Sequence, residues 1–140
     1  MKGINPHLRF NGNCREAMEF YKRCFGAELT LTTFSQAPID LPEAAKQAQD
    51  LIMHAQLTKG PLVLMGCDTM PGKPETAGDN FSINVNCESV DEIEKLFTSI
   101  GEKGKVSMPV QETFWAARFG MLTDQYGIKW MFNYEHPKRA

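Results

Sequence analysis

Long hydrophobic runs are missing from this chain of 140 residues. No stretch approaches the roughly 18 consecutive apolar residues of a membrane-spanning helix, and residues 1–6 lack the apolar core of a signal peptide. The chain is therefore expected in the cytoplasm, without a membrane partner. An excess of one charge is missing as well: 15 Lys and Arg face 17 Asp and Glu, for a net charge of -2. With the signs intermixed there is no basic stripe to suggest nucleic acid and no acidic tract to act as a solvating tail. Cysteine is scarce and badly spaced for covalent work. Cys14 and Cys24 fall on one expected helix, roughly 15 Å apart along its axis and beyond disulfide reach. Cys67 and Cys87 stand alone, with no CxxC pair to suggest zinc or redox chemistry, so four reduced thiols serving as small apolar fillers are expected. Gly-x-Ser-x-Gly is absent and the serines are scattered, which removes the usual nucleophile elbow.

What the chain does have is an echo of itself at a spacing of 75 residues. Leu8 and Phe10 fall on Ile83 and Val85, Asn11 on Asn86, Met18 on Ile93, Tyr21 on Leu96, Phe25 on Ile100 and Gly26 on Gly101. The first pairs alternate at strand period and the later ones recur at helix period, so one strand-then-helix unit is used twice. Strands are expected at residues 4–10, 28–34, 51–57 and 61–65, with a helix from Cys14 or Arg15 to Phe25 closed by Gly26. The second half repeats the order: strand 81–85, helix 89–100, then strands near 105–110, 117–123 and 128–134, the last two joined by the turn Asp124-Gln125-Tyr126-Gly127. The expected class is α+β, a single domain of two βαβββ modules forming a curved, mainly antiparallel sheet around a cleft. Residues 1–67 make the first module, 68–79 a linker rich in Pro and Gly, and 80–140 the second. Residues 37–49 read as an excursion loop carrying a short helix at 43–48.

Strand alternation divides the side chains between two faces. Ile128, Trp130, Phe132 and Tyr134 are expected under the helices, opposed by Lys129, Met131 and Asn133. Leu51, Met53, Ala55 and Leu57 are likewise opposed to Ile52, His54 and Gln56, and Phe81, Ile83 and Val85 to Asn80, Ser82 and Asn84. A cleft lined by the helix-free face would carry His7, Arg9, His54, Gln56, Asn80, Ser82, Asn84, Lys129, Met131 and Asn133. The oddest local sequence is 111–119, where Phe114 and Trp115 stand side by side before Arg118 and Phe119. Such aromatics suit a core or dimer-interface hairpin; alternatively Gln111, Phe114 and Trp115 form one wall of a pocket that stacks a planar ligand.

Taken together, the two βαβββ modules, the helix ending Phe20-Tyr21-Lys22-Arg23-Cys24-Phe25-Gly26 and the Asp-x-x-Gly turn before the last strand resemble the vicinal oxygen chelate superfamily of glyoxalases, bleomycin-resistance proteins and extradiol dioxygenases. The front segment 5–17, with 111–116, 119–121 and 130–133 at the back, is similar to the PhnB-like branch, also labelled demethylubiquinone methyltransferase-like. The resemblance implies a homodimer and a divalent metal held near Asn5 or His7, Leu64, Asn80 and Met131. Of these only His7 is a good ligand, with His54 a further weak candidate, and neither comes with the carboxylate a hard metal site would want. No metal site is therefore assigned. The methyltransferase label lacks the glycine-rich turn by which S-adenosylmethionine is usually held. The leading expectation is a cytoplasmic protein that binds a small molecule in a cleft, like a resistance or sequestration protein. A metal-dependent lyase- or dioxygenase-like enzyme and a dimeric assembly module are the alternatives.

Overall fold

The computed structural model describes residues 1–36, 49–70 and 72–136. The helix expected at 43–48 lies outside the described residues, as does Pro71. Two compact units divide the chain, Met1–Thr76 and Ala77–Ala140.

The first unit runs β1 (His7–Phe10), α1 (Cys14–Phe25), β2 (Glu28–Thr33), a 3-10 turn (Phe34–Gln36), β3 (Ile52–Lys59) and β4 (Leu62–Asp68). The second repeats it as β5 (Ile83–Asn86), α2 (Val90–Ile100), β6 (Lys105–Gln111), β7 (Arg118–Thr123) and β8 (Lys129–Tyr134). Each unit forms its own four-stranded sheet, in the order β1-β4-β3-β2 and β5-β8-β7-β6. Pairing is mainly antiparallel, as expected, with one exception in each sheet. The β1–β4 and β5–β8 pairs are parallel, because the helix carries the chain back across the sheet before the last strand returns beside the first. The architecture is thus α+β with two mixed sheets.

Each helix covers one face of its sheet. In α1 the buried positions Cys14, Ala17, Met18 and Tyr21 follow i, i+3, i+4, i+7, the spacing of a single apolar stripe. Burying a side chain the size of Met18 contributes about 1.5–3 kcal/mol. Beneath that stripe lie Leu8, Phe10, Ala55, Leu57 and Leu64, all buried. A Cβ on Gly66 would come 3.4 Å from the Met18 sulfur, so a larger residue there would press on the helix. In the second unit Phe97 of α2 meets Phe132 edge-on, with ring centroids 5.6 Å apart, above the buried Trp130 and Leu122. The two helix ends corresponding at a spacing of 75 use glycine for different reasons. Gly26 is left-handed at φ 63, whereas Gly101 has φ -75 but leaves a Cβ only 2.8 Å from the Phe97 carbonyl oxygen.

Two expectations about faces fail. Ile52, placed with His54 by simple alternation, is fully buried beside Ala55 and Leu57, while Met53 is only half-buried. A β-bulge is the cause: Thr32 pairs with His54 and Thr33 with Ile52, so Met53 is the extra residue and the alternation slips by one. Phe81, expected under α2, is 57% exposed, because β5 begins only at Ile83; Asn80 and Ser82 therefore also precede the strand. The first strand is shorter in the same way, starting at His7 and leaving Ile4 exposed. All four cysteines are free thiols, with Cys14 and Cys87 buried.

Candidate functional site

Each unit presents a helix-free sheet face, and register decides what stands on it. In the first unit His7 is level with Met65, and Met65 with Gln56 on the next strand. Arg9 is level with Cys67, and alternation along β3 puts His54 on the same face as Gln56. His7 Nε2 lies 3.4 Å from Cys67 Sγ, and the His7 and His54 rings are 6.2 Å apart and tilted by 35°. His7 is held below the usual imidazole pKa by partial burial, then by the neighbouring His54 and Arg9. Burial likewise raises the Cys67 thiol, so this pair is a neutral imidazole beside a protonated thiol and not an activated nucleophile. Arg9 reaches Glu75 at 3.8 Å, an exposed pair that contributes little to stability.

The positions at which the superfamily would hold a divalent ion do not converge on hard donors. Leu64 is 1% exposed and packed on the helix side of β4. Asn80 precedes β5, and Met131 offers only a thioether. Among the described residues no three His, Cys, Asp or Glu side chains are placed to hold a metal. The residues present therefore do not fit a hard divalent cation.

In the second unit Met131 and Asn133 stand on the helix-free face of β8. Asn84 is level with Met131 and Asn86 with Asn133 on one side; Met121 and Phe119 are level with the same two residues on the other. Asn86 Oδ1 accepts from Asn84 Nδ2 at 3.0 Å and from Asn133 Nδ2 at 3.4 Å, tying the three amides into one cluster. Gln111 pairs with Phe119. The connection beyond it is a tight turn in which Thr113 N–H donates to the Ala116 carbonyl at 3.0 Å and Ala116 N–H to Thr113 Oγ1 at 3.1 Å. That turn projects the aromatic pair: Phe114 is 93% exposed and meets Trp115 edge-on at 4.7 Å, and Trp115 meets Phe119 edge-on at 5.4 Å. Phe119, on the open face but only 5% exposed, is covered in this way.

The candidate residues thus divide between units. His7, Arg9, His54 and Gln56 share the first face, whereas Gln111, Phe114, Trp115, Met131 and Asn133 gather at the second, and Asn80 joins neither strand. Reading each strand alone missed Met65 and Cys67 beside His7, and Asn86, Met108, Met121 and Phe119 beside Met131. Register across strands is the signal that finds them, and it is not written in any one strand.

Two buried carboxylates look like chemistry and are structural. Asp68 Oδ1 accepts from the backbone N–H groups of Gly12 and Cys14 at 3.1 and 2.9 Å, and its Oδ2 from that of Ile52 at 2.9 Å. Asp124 similarly accepts from Tyr126 and Ile128 N–H and from the Trp130 indole. Every oxygen is engaged in holding chain segments together.

The sequence matches the family described as 3-demethylubiquinone-9 3-methyltransferase over residues 2–132. It is 34% identical to Protein YjdN of Escherichia coli K12 over 139 residues, covering 93% of each chain. Among solved structures, protein PA1353 of Pseudomonas aeruginosa is 40% identical with a TM-score of 0.86, over 98% of this chain and all of that one. A PhnB protein of Bacillus cereus, titled a putative 3-demethylubiquinone-9 3-methyltransferase, is 25% identical at a TM-score of 0.76, over 95% and 99% of the two chains. A glyoxalase/bleomycin resistance protein/dioxygenase family enzyme of Burkholderia phytofirmans shares the fold at 16% identity and a TM-score of 0.65, over 94% and 97%.

Proposed function

Since the chain belongs to the 3-demethylubiquinone-9 3-methyltransferase family, the PhnB-like branch with the glyoxalase/bleomycin-resistance fold, we propose that it binds a small organic molecule without a resident hard metal. The helix-free face of the second sheet is where we assign that binding. The observation that carries this reading is the meeting, on one sheet face, of a three-asparagine cluster, half-exposed methionines and the Trp115–Phe119 aromatic wall. Thioethers adapt to ligand shape and aromatics supply area at low entropic cost, while amides fix orientation. A broad compound library screened by tryptophan emission and thermal shift tests it. At least one planar compound should quench Trp115 and raise the melting temperature; no response from any compound overturns the reading.

A second reading draws on the exposure of Phe114 and Trp115, which is large for aromatic side chains and favours contact with a second copy of the chain. On this reading the protein is a homodimer in the cytoplasm. No helix among the described residues is long and apolar enough to cross a membrane. Light scattering on Trp115→Ala separates the two readings: dissociation with ligand binding intact assigns the turn to assembly, and lost binding in an unchanged oligomer assigns it to the pocket. A metal-dependent lyase or dioxygenase is the least supported reading, because among the described residues no group of three His, Cys, Asp or Glu is placed to hold a metal with His7 and His54. Stabilisation by Mn²⁺, Zn²⁺ or Fe²⁺ would restore it.

A further inference from the structure

Across its strands the open face of the second sheet is ordered in three rows, each two residues or roughly 6.8 Å from the next. The middle row is apolar and soft: Met108 pairs with Met121 and Met121 with Met131, so three half-exposed thioethers lie side by side on neighbouring strands. Ser107, the extra residue in the register shift between Val106 and Met108, is what brings Met108 to this face, and in the next shift Val110 turns to the helix side, where it would lie 2.9 Å from a Cβ on Gly120.

At its β5 end the methionine row closes on Asn84, level with Met131, and one row to the side stand Asn86 and Asn133, level with each other. Asn86 Oδ1 takes one N–H from each neighbour, so Asn86 Nδ2, the second N–H of Asn84 and of Asn133, and their Oδ1 atoms have no partner among the described residues. Adjacent amides with both donors and acceptors to spare suit a lactam edge, in which a C=O and an N–H sit side by side and take one of each. The other side runs Lys105, Thr123, Lys129, and neither lysine is ion-paired among the described residues. Two long cationic side chains beside an apolar strip suit an anionic group on a molecule lying across it.

From these three rows we infer the ligand class: a flat heteroaromatic acid whose ring lies on the methionines, whose lactam edge pairs with the asparagines and whose carboxylate meets Lys105 and Lys129. The inference rests on the small-molecule reading of this face and adds the chemistry that face selects.

The test uses the full chain carrying ¹³C-methyl methionine and three matched probes. 2-Oxo-1,2-dihydroquinoline-4-carboxylate has both the lactam edge and the acid, quinoline-4-carboxylate lacks the lactam, and quinolin-2-one lacks the acid. The first should bind at least about tenfold tighter than either of the others, the scale expected when one or two hydrogen bonds are removed. Its ring current should move the methyl signals of Met121 and Met131, assigned from Met→Leu variants. Asn86→Ala should erase its advantage over quinoline-4-carboxylate, and Lys129→Gln its advantage over quinolin-2-one, in variants whose melting temperatures match the parent. Equal binding of all three probes, or methyl shifts confined to other methionines, overturns the inference and leaves the small-molecule reading standing. No binding by any probe also overturns it, whereas the wider reading falls only when the broad library fails as well.

Discussion

Removing the Asp124 carboxylate probes how the second unit is closed. Its Oδ1 accepts from Tyr126 N–H at 2.8 Å and Ile128 N–H at 3.0 Å, and its Oδ2 from Trp130 Nε1 at 2.9 Å. The residue is 4% exposed and Trp130 is 1% exposed. Asp124→Ala removes the carboxylate that these three donors share. The turn amides can hydrate, since Tyr126 is only half-buried, so each should cost about 1 kcal/mol. The indole N–H has no route to water, and an unsatisfied buried donor costs about 1–3 kcal/mol. The sum is roughly 3–5 kcal/mol, a large share of the ~5–15 kcal/mol by which domains are stable. For a chain of this size each kcal/mol moves the melting temperature by about 3–4 °C, so a fall of roughly 9–20 °C is expected. Circular dichroism gives the melt, and emission in a Trp115→Phe background follows Trp130, the remaining one of the two tryptophans. Asp124→Asn keeps one carbonyl acceptor and should recover about half of the loss. A drop of less than about 3 °C for Asp124→Ala, with unchanged Trp130 emission, would refute the assignment of this carboxylate as the closure of the unit.

Gly120→Ala should destabilise by about 1–3 kcal/mol, because its Cβ would sit 2.8 Å from Phe97 Cε2 and 2.9 Å from Val110 Cγ2; a melt within 1 °C or so of the parent would contradict that packing. Burial raises the Cys14 and Cys87 thiols to about 12, so both should resist alkylation in the folded state at neutral pH while denaturant exposes them to iodoacetamide. Because the folded state holds these two protons more tightly, their contribution is complete below the ordinary thiol value of 9.0 and is lost as pH rises towards about 12, so Cys14→Ala with Cys87→Ala should flatten the alkaline limb of stability. His7 has the opposite linkage. Its folded pKa lies below 6.5, so its contribution is present above 6.5 and fades as pH falls through the folded value, and an NMR titration placing His7 at or above 6.5 would contradict the burial and the His54 and Arg9 repulsion invoked for it.

The start of α2 is legible because its capping is local. Ser89 accepts from Glu92 N–H at 3.0 Å, and Glu92 Oε1 reaches back to Glu88 N–H at 2.9 Å, all within one turn. The start of α1 is found at Cys14, one of the two expected positions, but its cap is not legible, since Asn13 makes no side-chain cap and the acceptor is Asp68, brought from the end of β4. The slip at Met53 is hidden for a similar reason. Alternation is a property of one strand, but a bulge is fixed by the pairing of two, and nothing within 51–57 marks where Thr32 gives way to Thr33 opposite it. Phe81 misled because an aromatic at strand spacing from Ile83 reads as core, while the ladder to β8 begins only at the Ile83–Trp130 pair.

The same distinction explains why the duplication is plain and the site is not. Positions under the helices repeat in kind, Leu8 with Ile83 and Phe10 with Val85, because any loss there would forfeit about 1.5–3 kcal/mol of burial. Open-face positions carry no such constraint, and apart from Asn11 and Asn86 they differ: Arg9 corresponds to Asn84, and β4 and β8, aligned through their parallel partners, set Cys67 against Met131 and Met65 against Lys129. One scaffold therefore carries an imidazole and thiol face in the first unit and an amide, thioether and lysine face in the second. Hard divalent ions are poorly served by either: the first face has one strand carboxylate, Glu28, level with Thr58 and four residues along β3 from His54, and no three such side chains are grouped among the described residues. What the second face offers is area and directional neutral hydrogen bonds beside positive charge. That combination discriminates between ligands by shape and edge, and discrimination of that kind needs no chemistry from the protein at all.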